Sequence, residues 1–149
     1  MRFTPFSIAL ILSVSFLSGC GGDKNPFGAV YVEGTVTFDG TPIEGVSVTF
    51  IPRSGDLAAG GRTDPQGKFT LTIGGADIGT GAKPGEYDVT FSKVELPPML
   101  PIGQGPSAMP TATYLIPQKY ENPQTSGLEP VTVNSDKSKN KFTFELSSQ

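Results

Sequence analysis

Val30-Tyr31-Val32-Glu33-Gly34-Thr35-Val36-Thr37-Phe38 runs through Asp39-Gly40-Thr41-Pro42-Ile43-Glu44-Gly45 into Val46-Ser47-Val48-Thr49-Phe50. Val30, Val32, Val36 and Phe38 share one parity, with Gly34 at the missing step. Tyr31, Glu33, Thr35 and Thr37 take the other. Side chains on a strand alternate between its two faces, so this pattern predicts a half-buried strand. Asp39-Gly40-Thr41-Pro42 is a turn sequence. The alternation then resumes with Val46, Val48 and Phe50 inward and Ser47 and Thr49 outward, up to Pro52, which cannot donate to a ladder. Two alternating runs joined by turn residues set the reading of the whole chain as all-β.

The same grammar continues outward. A short strand is expected near residues 58–63, then a turn at Asp64-Pro65-Gln66-Gly67. Phe69, Leu71 and Ile73 alternate with Lys68, Thr70 and Thr72, and Tyr87, Val89 and Phe91 with Asp88 and Thr90. Val131 and Val133 mark a sixth strand. Phe142, Phe144 and Leu146 alternate with Lys141, Thr143 and Glu145 in a seventh. Residues 134–140 read as the turn of a last hairpin. Residues 94–126 carry seven prolines and no alternation, so they are expected to form a long Pro-rich loop. No window shows a helical apolar stripe. Seven strands with turn chemistry between them predict an antiparallel sandwich over residues 29–149.

Composition narrows the function. The 149 residues include 19 Gly, 14 Pro, one Cys, no His and no Trp, with a formal net charge of −3. Zero His removes the usual general base, the Ser–His and Cys–His nucleophile pairs and the commonest metal ligand. The acidic balance argues against nucleic acid, which selects a basic face. The expectation is a non-enzymatic protein with no metal and no cofactor. Asp39, Asp64, Asp77 and Asp88 form no calcium-loop pattern and read as turn residues. Lys137, Lys139 and Lys141 read as a solvated tip, with phosphates or anionic glycans as the alternative.

The N-terminus reads as an address. Arg2 precedes an apolar run over residues 6–17, too short for a bilayer span of ~20 residues and suited to a secretory signal. Leu17-Ser18-Gly19-Cys20 resembles the lipobox of bacterial lipoproteins. The resemblance implies cleavage after residue 19, acylation of Cys20 and anchoring in a membrane of the cell envelope. Gly21 is not the Asp that signals inner-membrane retention in some lipoproteins, which favours the outer membrane. A lipidated cysteine also accounts for a lone thiol in a secreted chain. Residues 1–19 are thus the expected signal peptide and residues 20–28 a flexible tether.

Three turn patterns carry a second resemblance. Gly34-Thr35-Val36 leads into Asp39-Gly40-Thr41-Pro42-Ile43-Glu44-Gly45-Val46. Thr63-Asp64-Pro65-Gln66-Gly67-Lys68-Phe69 follows, then Pro84-Gly85-Glu86-Tyr87-Asp88-Val89. In order and spacing they resemble the carboxypeptidase regulatory-like domain, a transthyretin-like, Ig-like sandwich. The resemblance implies an architecture and not a reaction. The hydroxyisourate hydrolase of the same fold uses His and Arg residues and a C-terminal motif that this chain lacks. Two functions remain as expectations: a lipid-anchored binding or structural module of the envelope, and a carbohydrate-binding accessory domain. The partner is then an envelope protein or a glycan, besides the membrane itself. Leu96, Met99, Leu100, Ile102 and Met109 lie among the prolines of the long loop. They either form a partner-binding surface or fold back over a sheet edge.

Overall fold

The computed structural model describes residues 27–74, 80–96 and 111–149. The expected signal peptide lies outside them, as does most of the tether. All seven expected strands are present: β1 (Glu33–Phe38), β3 (Ser47–Pro52), β4 (Ala59–Arg62), β5 and β6 (Lys68–Thr70 and Thr72–Ile73), β7 (Gly85–Ser92), β10 (Val131–Val133) and β11 (Lys141–Leu146). The described strands number eleven, not seven, for two reasons. The expected strand around Leu71 is two, because the chain changes sheets there: β5 pairs with β1 and β6 with β4. Three two-residue strands are too short to show a period: β2 (Thr41–Pro42), β8 (Val94–Glu95) and β9 (Thr113–Tyr114).

Two sheets face each other. The first has β1 at its centre, with β11 on one side and β2 and β5 on the other. The second runs β10-β7-β3-β4-β6. Between them lie Val32, Val36, Val46, Val48, Phe50, Leu71, Tyr87 and Phe91, all essentially inaccessible. Phe50 and Phe91 of the second sheet meet Phe144 of the first at ring-centroid distances of 6.2 and 5.0 Å. Phe50 also meets Phe69 and Phe142, at 6.3 and 5.6 Å. This aromatic layer ties the sheets together.

The turns obey the chemistry read from the sequence. The Asp64 carboxylate accepts the backbone N–H groups of Gln66 (2.9 Å) and Lys68 (2.8 Å), and Gly67 takes a φ of +70°. The Tyr87 ring is buried and its hydroxyl donates to the Lys83 carbonyl at 2.9 Å, as in a tyrosine corner.

Four expectations are corrected. First, the sandwich is not wholly antiparallel: β1 and β11 run parallel, from Glu33 beside Lys141 to Phe38 beside Leu146. Second, residues 134–140 do not turn a hairpin. β10 pairs with β7 and β11 with β1, so this segment crosses from one sheet to the other. Third, the 94–126 segment is not one loop. β8 and β9 pair within it, a 3₁₀ turn occupies Gln118–Glu121, and α1 (Pro123–Ser126) follows. Ile116 and Tyr120 are buried in the core. Fourth, Thr90 is buried although it points away from the core side of β7, because the 3₁₀ turn and α1 pack against that strand.

Candidate functional site

The outer face of the first sheet carries an open groove. Alternation sends Glu33 and Thr35 of β1, Thr70 and Lys68 of β5, and Lys141 and Thr143 of β11 to the same side. The registers set them in two rows, Lys141–Glu33–Thr70 and Thr143–Thr35–Lys68. Tyr31, Arg62 and Asp64 complete the walls of an open groove of about 580 Å³. Gly34 lies at its floor. A Cβ there would collide with the Phe69 ring and the Phe142 carbonyl oxygen, so the floor depends on a residue without a side chain.

One end of the groove is a closed charge network. Lys141 Nζ contacts Glu33 Oε1 at 2.9 Å, and the Tyr31 hydroxyl donates to Glu33 Oε2 at 3.1 Å. The hydrogen bond from Lys141, then that from Tyr31, holds the Glu33 carboxyl below the usual carboxylate range. The same contacts raise the other two groups: Glu33 raises the Lys141 ammonium and, by its hydrogen bond first, the Tyr31 phenol. The other end is open. Among the described residues neither Arg62 nor Lys68 makes an ion pair, although the charge of Lys68 helps to lower the Glu33 carboxyl, and Asp64 spends its Oδ1 on its own turn. The groove therefore offers two cations outside any ion pair among the described residues, three threonine hydroxyls and the edge of one tyrosine ring. Such a set suits a polar ligand with negative charge.

Leu17, Ser18, Gly19 and Cys20 lie outside the described residues, as do Met99, Leu100, Ile102 and Met109. Leu96 follows β8 and is 70% exposed. Of the aspartates weighed for calcium, Asp39 accepts the Ser148 N–H and Asp88 pairs with Arg53 at 2.8 Å. Asp77 lies outside the described residues. Among the described residues no group of three or more His, Cys, Asp or Glu could hold a metal ion, and no helix is long and apolar enough to cross a membrane. Lys137 and Lys139 stay at the exposed crossover, whereas Lys141 joins the groove. Tyr31, Arg62 and Lys68 were not legible as a set. Their only sequence signal is that the outward parity carries charge, and Arg62 arrives from a strand of the other sheet.

No protein-family model, curated protein or solved structure matches the chain.

Proposed function

We propose that the chain is a non-enzymatic binding module of the bacterial envelope, built on a carboxypeptidase regulatory-like sandwich and held to the membrane by lipid on Cys20. The groove on the first sheet is its binding face. One observation carries this reading: Arg62 and Lys68 stand outside any ion pair among the described residues, at the end opposite Tyr31 of an open groove of about 580 Å³. Seven residues from Cys20 to Phe27, at ~3.5 Å each when extended, give the domain a reach of ~25 Å from its anchor. Two or more acyl chains hold stably where a single chain is marginal.

A second reading, a carbohydrate-binding accessory domain, is favoured by the half-exposed Tyr31 ring beside the hydroxyls of Thr35, Thr70 and Thr143. The two separate in one pair of measurements. The native protein is used as bait on its own envelope fraction and also on an array of neutral and acidic glycans. A protein captured by the wild type and lost with Arg62→Ala and Lys68→Ala supports the first reading; array binding lost with Tyr31→Ala supports the second. Undiminished capture by all three variants removes the groove as the site. Cys20→Ser abolishes lipid labelling and membrane retention if the anchor is as proposed. Mature wild-type protein washed from membranes by salt alone, without lipid mass, overturns it.

A further inference from the structure

β11 is the last strand of its sheet, and its outer edge is unpaired among the described residues. Which backbone groups that edge presents follows from the bonds on the other side. The Asn140 carbonyl accepts from Glu33 N–H (3.1 Å) and the Leu146 carbonyl from Asp39 N–H (2.9 Å). Residues of that parity point their N–H and C=O toward β1, so Lys141, Thr143 and Glu145 point theirs outward. All three are exposed. Natural sheets blunt such an edge with lysine, proline, a bulge or a cover. Here the lysine at one end is matched by a glutamate at the other, at equal distance from Thr143.

That spacing makes the edge complementary to itself. A second copy of the strand, laid antiparallel about a two-fold axis through Thr143, sets Lys141 against the other copy's Glu145, Thr143 against its twin, and Glu145 against the other copy's Lys141. All three are hydrogen-bonded pairs, because all three present N–H and C=O to the edge. Phe142 and Phe144 fall opposite each other in the closer, non-hydrogen-bonded positions on the core side. Phe142 is only partly buried in one copy. Lys137 and Lys139 lie in the 3₁₀ turn before β11, outside the paired stretch, so no like charges meet within it. Shifting the register by two residues in either direction breaks both Lys141–Glu145 pairs.

We propose that this protein self-associates through β11, two copies forming one continuous sheet about a two-fold axis at Thr143. The groove face gains from the assembly. Thr143 and Lys141 line the groove in each copy, so the two grooves become halves of a single surface with Thr143 at its centre. The pairing is isologous, as closed two-fold dimers require.

The test is a charge exchange between two variants of the full chain. Lys141→Glu makes the edge all acidic and also sets a carboxylate beside Glu33, the present partner of Lys141 at 2.9 Å, so recovery in the mixture is the deciding readout; Glu145→Lys makes the edge all basic. Each variant alone places like charges opposite one another twice. Mixed, the two variants place opposite charges together twice. Sedimentation in density-matched detergent, carried to ~1 mM, should show a monomer–dimer equilibrium for the wild type. It should show about tenfold weaker association for each variant alone and recovery in the mixture. Thr143→Pro removes an outward N–H without touching the bonds to β1, so it should leave the thermal melt cooperative and abolish the dimer. A monomeric wild type at the highest concentration overturns the proposal. So does a mixture no tighter than the separate variants, or a Thr143→Pro chain that still dimerises.

Discussion

Asn140 is fully buried and every polar atom of its side chain is used. Oδ1 accepts the Asn134 N–H at 2.8 Å, and Nδ2 donates to the carbonyls of Asn134 (2.8 Å) and Tyr31 (3.4 Å). The amide fastens the 134–140 crossover to the start of the first sheet. Asn140→Ala leaves three backbone groups short of partners at a buried site, and each such group costs ~1–3 kcal/mol. We expect a loss of about 2–4 kcal/mol in urea unfolding, partly offset by water entering the gap. A loss under ~1 kcal/mol would show the crossover holds without it. Phe50→Ala should cost ~3–5 kcal/mol, since Phe50 joins four other aromatic rings. Thr49→Ala, on the far face, should cost ~0.5 kcal/mol, and the buried Thr90 more than Thr49. Tyr87 adds a pH signature. Burial first, and the charge of Asp56 second, raise its phenol above the ordinary tyrosine value. A raised folded value contributes stability below pH ~10 that is lost as pH rises through it. The denaturation midpoint should fall above pH ~10, and Tyr87→Phe should flatten that fall. At this scale the sequence was legible where a residue acts on its near neighbours. Asp64, Gly67 and Tyr87 each bond or bend within four positions. Asn140, Thr63 and the groove cations act on residues brought near only by the fold. Thr63, for example, donates to the Ile43 carbonyl at 2.7 Å and accepts the Val46 N–H at 2.9 Å.

Among the elements, alternation located every strand of three or more residues except β4, whose Ala59-Gly60-Gly61-Arg62 shows no apolar period; each of the others has one face in the core. It did not assign strands to sheets. Phe69, Leu71 and Ile73 keep an unbroken period of two across the switch between sheets, since all three face the same interior. Val131 and Val133 look as much like partners for Phe142 and Phe144 as for Tyr87, whose sheet they join. The prolines hid the helical turns for a similar reason. Pro123 sits in the first turn of α1, where its missing N–H costs nothing, and Asn122 caps that turn by accepting the Gln124 N–H at 2.9 Å. These elements fix the boundary of what can be removed. Val94 and Glu95 pair with Tyr114 and Thr113, so the ends of the 97–110 segment are held together by β8 and β9. Replacing 97–110 with a short Gly/Ser linker should leave a cooperative melt within a few degrees of wild type, because closure entropy changes slowly with loop length. Extending the deletion through Ile116 and Tyr120 should not, since both are buried in the core. Equal melts for the two deletions would place Ile116 and Tyr120 outside the cooperative unit.

For the whole molecule the decisive feature is that the first long strand pairs in parallel with the last. Glu33 lies beside Lys141, a separation of 141 − 33 = 108 residues. The second sheet is assembled from nearer neighbours: Phe50 lies beside Ala59 in the β3–β4 pair, only nine positions away. Closing a long loop costs entropy before its contacts return any stabilisation. β3, β4 and β7 should therefore form the folding nucleus, and β1–β11 pairing should complete the sandwich after the main barrier. Phe144 and Phe50 distinguish these stages, since both are buried in the same aromatic layer but belong to opposite sheets. Phe144→Ala should act mainly on unfolding, raising that rate by most of its equilibrium effect and leaving refolding nearly unchanged. Phe50→Ala should slow refolding instead. Stopped-flow refolding and unfolding across a urea series reads both arms for each variant. If Phe144→Ala slows refolding by its full equilibrium effect, the two ends of the chain meet before the barrier. The parallel pair would then start the fold rather than seal it.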